Sequence, residues 1–373
     1  MGKHKITAMR VHCVSIPARA VHSHGSGDVA GINIALCELT TDSGLTGWGE
    51  ASPWPVFTGT LEGNAAALDK YFRPLVIGQD PVQVEPIMTA ANRVLTDHNE
   101  AKAALETALL DLAGQIAGLS IAALLGGQHQ SRIPLSFSVA NPDFEANLDE
   151  VARAWSDGVR LYKLKAGFAD HSFDLMRLER LRALYGDEIN LRVDYNQGLA
   201  AYDAIRHIRD LESFKPDFVE QPVRRHERAA LAEITRAVDV PIMADESVFD
   251  VREAFDAAGA RMADVFSLKI AKSGGLRRCL EIAAIARATG IEVYGGCMFE
   301  SSIGHMAGAQ MMAAVPELRL GCEFYMSNYY AEADIAADPF PVRDGHVHVP
   351  SSPGLGAEPD LERLANYTTA VLG

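Results

Sequence analysis

Asp194, Glu220 and Asp245 stand at or near the ends of three successive strand-like runs, INLRVDYN, PDFVEQP and VPIMADE. Each is followed by loop or helix sequence, and they lie about 25 residues apart, the length of one strand-helix unit in a (β/α)8 barrel. On that reading the three carboxylates meet on one rim. One carboxylate at a strand end is ordinarily a helix cap or a solvated loop residue; three in consecutive units, each directly after an apolar strand, point to a shared site. Crowded carboxylate oxygens repel one another and call for a hard dication. Mg²⁺ suits an all-oxygen set with positions left open for water or substrate, so the expected ligand is anionic.

Lysines flank the trio. In RLYKLKAG, Lys163 and Lys165 are two apart and project from the same face of one strand, and in ADVFSLKIAKSGG, Lys269 ends a later strand. In a closed barrel the strands bearing Lys165 and Lys269 lie on either side of the three acid-bearing strands. Their ammonium groups then reach opposite faces of a ligand on the metal, which makes a two-base site. Most lysines are solvated, but a parallel barrel strand is buried. A buried ammonium beside a second one loses proton affinity, so Lys163 is expected to make Lys165 available as a neutral base.

Ser138, Asn196, Met298, Glu300 and Glu323 fall near the same rim and are candidate substrate contacts. Trp54 in GEASPWPVF is a candidate cover from outside the barrel, and Lys272 and Glu246 stand one step further into their loops as supporting groups. The histidines show no ligand spacing and read as structural or surface groups.

Positioning these residues requires a specific order of elements. From Ile133 the strand candidates are IPLSFSVA, RLYKLKAG, INLRVDYN, DFVEQP, VPIMADE, DVFSLKI, IEVYGGCM and LRLGCEF, separated by helical stretches, several of which close at Gly. This pattern predicts an α/β fold, a modified (β/α)8 TIM barrel over 131–324. An open doubly wound sheet usually carries a Gly-rich phosphate turn after its first strand, which is missing here. Residues 1–130 read as an α+β capping domain, completed by 325–373. It has two strand-like segments, KITAMRVHCVSI and GINIALCELTTDSGLTGWGEAS, the second turning at Asp42-Ser43-Gly44. Between them ARAVHSHGSGDVAG reads as a mobile loop that could serve as a flap. NEAKAALETALLDLAGQIAG reads as a helix with an apolar stripe at Ala101, Leu105, Ala108, Leu109, Leu112 and Ile116.

The 373 residues carry a formal net charge of −15, which disfavours nucleic acid and anionic membranes as partners. Five scattered cysteines without a C-x-x-C pair argue against a disulfide framework or a zinc site. No run reaches membrane-helix length and no signal core opens the chain, so a cytoplasmic enzyme is expected.

The TDSGLTGWGEA hairpin, the ALLDLAGQIAGLSIAALLGG helix, KLK, the spaced Asp194, Glu220 and Asp245, and KIAKSGG together resemble the muconate-lactonizing-enzyme subgroup of the enolase superfamily over nearly the whole chain. The resemblance implies Mg²⁺ held by Asp194, Glu220 and Asp245, with Lys165 and Lys269 as acid or base and Lys163 tuning Lys165. It also implies proton abstraction next to a carboxylate of a small molecule, commonly in a homo-oligomer. The subgroup spans cycloisomerases, succinylbenzoate synthases, epimerases and dehydratases. Dipeptide epimerases usually carry Asp-x-Asp after the last barrel strand where this chain has Cys322-Glu323-Phe324. Over its length the chain is similar to the cis-3-hydroxy-L-proline dehydratases, which implies loss of water to give Δ1-pyrroline-2-carboxylate and a 2-epimerase side activity. An amino-acid or dipeptide epimerase or a cycloisomerase is the alternative.

Overall fold

The alternation of apolar and polar residues from Ile6 onward builds a long antiparallel hairpin. The structure, a computed structural model, describes residues 4–373. Strand β1 (Ile6–His24) pairs with β2 (Gly27–Thr41), and β2 pairs with β3 (Thr46–Ala51) across the Asp42-Ser43-Gly44 turn. The segment 18–31, expected as a loop, is therefore mostly strand. Its polar, Gly-rich composition hides a two-stranded arm with an irregularity between Pro17 and His22. The barrel rim holds the tip of the arm: Ser23 N donates to Ala140 O (2.8 Å) and Ser26 Oγ to Asn196 O (2.7 Å).

Seven parallel strands follow in chain order, after a short β4 (Arg132–Pro134): β5 (Ser136–Val139), β6 (Leu161–Lys165), β7 (Asn190–Asp194), β8 (Val219–Glu220), β9 (Ile242–Ala244), β10 (Val265–Leu268) and β11 (Glu292–Gly295). Register turns the period-2 sequence pattern into layers. Val139, Leu164, Val193, Val219 and Ile242 align as one apolar row, and Lys165, Asp194 and Glu220 align as the polar row beside it. The outer helices cover the apolar rows; Ala201–Leu211, for example, buries Ala204, Ile208 and Leu211.

The eighth strand predicted in LRLGCEF is reduced to a single bridging residue. Cys322 bridges Leu135 on one side and Gly295 on the other, both in parallel sense. Cys322 N donates to Pro134 O (2.9 Å) and Glu323 N to Gly295 O (2.9 Å), which closes the barrel. Gly321, just before Cys322, is left-handed (φ +76°), and a Cβ there would strike the Pro134 carbonyl, so this approach requires glycine. The predicted first strand also splits. Its start, β4, joins β12 (Val342–Arg343) and β13 (His346–His348) in a small antiparallel sheet. Strand β14 (Thr368–Leu372) returns to pair with β1, Cys13 opposite Ala370.

The helix Asn99–Ala117 lies between the hairpin sheet and the barrel and is buried on every side from Glu100 to Gly114, not only along its apolar stripe. Gly47 and Gly49 of β3 let strand and helix approach until a Cβ on either would collide with the helix carbonyls of Ala108 and Ala104. Two carboxylates from this unit cap barrel helices. Glu50 accepts from Ser301 N (3.0 Å) and Gly304 N (3.2 Å) at the start of helix Ser302–Ala313, and Glu106 accepts from Arg277 N (3.2 Å) at the start of helix Leu276–Thr289. Replacing Gly49 by Ala is expected to destabilise the protein by about 1–3 kcal/mol through this backbone clash. Thermal denaturation checks it, and an unchanged melting temperature would contradict the packing described.

Candidate active site

The polar row of the barrel ends at the mouth in a cluster of buried charge. Asp194, the last residue of β7, lies in register with Lys165 on one side and Glu220 on the other; Asp245 and Lys269 directly follow β9 and β10. None of Asp194, Glu220 and Asp245 exposes more than 1% of its surface. Sheet order places the Lys165 strand and the Lys269 strand on opposite flanks of the three acids, as the strand count implied.

Each acid is held by lysine. Lys165 Nζ donates to Asp194 Oδ2 at 2.6 Å, and Lys269 Nζ to Asp245 Oδ2 at 2.7 Å. Lys272 Nζ donates to Asp245 Oδ1 (2.8 Å) and to the Ser267 carbonyl (2.9 Å). Lys163, wholly buried beneath the others, reaches Glu220 Oε2 at 2.7 Å and Glu323 Oε2 at 2.5 Å. Lys163 is therefore not a bare ammonium pressed against Lys165. Burial alone would depress it, but Glu220 and Glu323 more than offset that and hold it well above the usual lysine range. Burial likewise opposes the charge on Asp245, yet Lys269 and Lys272 outweigh it and keep its carboxyl far below the usual range. Glu220 goes the other way: burial and the neighbouring Asp194 push it well above, despite Lys163.

Glu220 Oε1 is buried without a hydrogen-bond partner, and so is Glu246 Oε2. A buried carboxylate oxygen without a partner calls for one, and a hard cation would supply it, although the oxygens of Asp194, Glu220 and Asp245 do not all lie within 4.8 Å of one another. Asp194, Glu220 and Asp245 thus fit Mg²⁺ in donor chemistry, with Glu246 and Asn196 beside them; Asn196 Nδ2 donates to Glu246 Oε1 (3.2 Å) and Asn196 Oδ1 accepts from Lys165 (3.3 Å). A different group, Cys297, Glu300 and His305, brings its donor atoms within 4.8 Å of one another. Its mixed sulfur, oxygen and nitrogen set does not suit Mg²⁺. Burial pushes Glu300 up to about 8 and His305 down to about 3, so both are neutral at pH 7 and read as packed core groups.

Above the charges lies a small, tight cleft, lined on the barrel side by Ser138, Lys165, Asn196, Lys269, Met298 and Glu323 and covered by Trp54 and His24. Glu300, a predicted substrate contact, does not line it. Its side chain turns toward His305 (3.8 Å), because the chain enters helix Ser302–Ala313 immediately afterwards. His24, read from sequence as structural or surface, lines the cleft instead; its place there depends on the arm that composition disguises. Trp54, His24 and Phe299 meet edge-on or tilted with ring centroids 5.0–5.7 Å apart, making an aromatic roof.

Residues 6–126 match the family described as Mandelate racemase / muconate lactonizing enzyme, N-terminal domain, and residues 147–364 match Enolase C-terminal domain-like. The chain is 36% identical over 367 residues to chloromuconate cycloisomerase of Cupriavidus pinatubonensis (strain JMP 134 / LMG 1197), covering 97% of this chain and 99% of that protein. It is 34% identical over 331 residues to muconate cycloisomerase 1 of Pseudomonas putida, covering 88% and 86%. Among solved structures, muconate lactonizing enzyme from Pseudomonas fluorescens complexed with muconolactone superposes with a TM-score of 0.95 at 32% identity, covering 98% of this chain and all of that one. A muconate cycloisomerase from Azorhizobium caulinodans gives 0.86 at 39%, covering 98% and 99%.

Calorimetric titration with Mg²⁺ tests the acid trio. Glu220→Gln is expected to bind Mg²⁺ at least about tenfold more weakly, as loss of a charged ligand should. Unchanged Mg²⁺ affinity would remove Glu220 from the centre.

Proposed function

Because the chain belongs to the mandelate racemase / muconate lactonizing enzyme family, in the muconate-lactonizing subgroup of the enolase superfamily, we propose that it is a Mg²⁺-dependent lyase acting on a small carboxylate. In this reading a lysine moves the proton on the α-carbon while an oxygen substituent on the β-carbon leaves or adds. The observation that carries it is the placing of Lys165 and Lys269 on opposite flanks of Asp194, Glu220 and Asp245, under a small covered cleft. A proton next to a carboxylate is very weakly acidic, and the metal, when bound by those three acids, supplies positive charge against the substrate carboxylate as that proton leaves.

The chain's own groups divide the remaining work. Lys165 and Lys269 face the cleft from two sides and exchange protons with the substrate. Lys163 stays beneath as a fixed positive charge, tied to Glu220 and Glu323. Trp54 and the arm tip limit water access above the reacting carbon.

The relatives favour a cycloisomerase, in which the β-oxygen belongs to a second carboxylate of a muconate-type diacid and departs without needing a proton. A second reading, dehydration of cis-3-hydroxy-L-proline, stands on the two-lysine geometry. Hydroxide is a poor leaving group and needs an acid. The hydroxyl and the α-hydrogen lie on opposite ring faces of that substrate, so one lysine takes the proton while the other protonates the hydroxyl. With no leaving group the same pair would exchange the α-proton and epimerise the substrate.

The Mg²⁺-loaded protein incubated with cis,cis-muconate and, separately, with cis-3-hydroxy-L-proline, followed by NMR, separates the two. A lactone from the first supports the cycloisomerase, and Δ1-pyrroline-2-carboxylate from the second supports the dehydratase. Lys165→Ala and Lys269→Ala are each expected to lower turnover of the accepted substrate by at least roughly a hundredfold, the usual scale of a lost acid or base, while Mg²⁺ affinity is retained. Normal turnover in either variant would refute the two-lysine scheme.

A further inference from the structure

The tip of the arm formed by β1 and β2 delivers one polar side chain into the cleft that the scheme above leaves unused. His24 is 5% exposed and lines the cleft beside Trp54 and Phe299. Its Nδ1 lies 3.3 Å from the Gly27 carbonyl oxygen. A carbonyl only accepts, so Nδ1 carries the proton. Burial, reinforced by the positive charge of Lys165, holds the imidazole well below its usual range and so keeps it neutral. A neutral ring protonated on Nδ1 leaves Nε2 with a lone pair and no hydrogen.

Of the other polar groups around the cleft, Ser138 Oγ has no partner but, as a hydroxyl, can donate as well as accept, whereas the amide and carboxylate acceptors are already engaged. Asn196 Oδ1 takes Lys165 Nζ at 3.3 Å, and Glu323 takes Lys163 Nζ at 2.5 Å and Cys297 N at 3.3 Å. His24 Nε2 has no hydrogen bond among the described residues. It is a fixed acceptor set in the aromatic roof of the cleft.

We propose that His24 is a specificity-determining residue: its Nε2 accepts a hydrogen bond from an N–H or O–H on the substrate, so the site selects small carboxylic acids that carry such a donor. The proposal rests on the small-carboxylate reading above and narrows it. A cyclic amino or hydroxy acid satisfies the acceptor. The far end of a diacid offers only lone pairs at neutral pH and leaves Nε2 unpaired, and sites built to bond a polar group discriminate strongly against ligands that cannot answer it. Of the two readings, the assignment therefore favours the hydroxyproline type.

Three ligands of one ring size isolate the contact, titrated calorimetrically into the Mg²⁺-loaded protein. L-Proline offers N–H, 2-hydroxycyclopentanecarboxylate offers O–H, and cyclopentanecarboxylate offers neither. At least one donor-bearing ligand is expected to bind roughly tenfold more tightly than cyclopentanecarboxylate, and which one identifies the donor. His24→Phe, which keeps an aromatic ring and removes the acceptor, should erase the difference; His24→Gln, which restores an acceptor near Nε2, should recover it. Equal affinities for all three ligands in the parent, or a preference that survives in His24→Phe, would overturn the role of His24 alone. If none of the three binds the parent, this inference falls; the small-carboxylate reading falls only if cis,cis-muconate and cis-3-hydroxy-L-proline are also left unchanged.

Discussion

Charge neutralisation inside the barrel mouth governs the rest of the molecule. Five carboxylates, Asp194, Glu220, Asp245, Glu246 and Glu323, share a water-poor volume with four lysines, Lys163, Lys165, Lys269 and Lys272. Buried ions are tolerated only when geometry pairs them closely, and here each lysine has a carboxylate oxygen within 2.8 Å. The pairing is incomplete on the acid side, where Glu220 Oε1 and Glu246 Oε2 have no partner. A dication held by Asp194, Glu220 and Asp245 would supply the missing positive charge. Lys163 and Lys272 keep other partners, Glu323 and the Ser267 carbonyl, so they remain as scaffolding.

That cluster has to be kept dry and in register, and the amino-terminal unit contributes to both. Its arm and Trp54 roof the cleft, while Glu50 and Glu106 reach across to satisfy the free N–H groups that open two barrel helices. These helices follow the strands that present Lys269 and Met298. Asn99 adds a third tie, donating to the Lys272 carbonyl at 2.7 Å. The covering unit is thus bonded to the segments that carry Lys269, Lys272 and Met298, not merely laid over them.

Much of this is legible in the sequence, for a physical reason. A parallel strand shows its inward residues at every second position, so polar residues in apolar runs, as in LYKLK and NLRVD, mark the lumen directly. Asp194, Glu220, Lys165 and Lys269 can be placed on one rim from the sequence alone. Features set by long-range pairing cannot. The arm over 18–31 has the composition of a loop and becomes strand through its partner across the hairpin. The role of His24 is hidden with it. The closing strand shrinks to Cys322, next to a left-handed Gly321 packed against the Pro134 carbonyl, a close approach that only the folded barrel creates. Glu300 looks like a rim residue, but its side chain turns into the core beside His305.

The pairing of β14 with β1 bears on the order of assembly during synthesis. Cys13 waits for Ala370 as its neighbour, so the edge of the hairpin sheet stays open while the ribosome makes everything between them. All seven barrel strands emerge in that interval and can close through Cys322 before the sheet is finished. The catalytic scaffold can therefore be complete in a nascent chain whose roof still lacks its outermost strand.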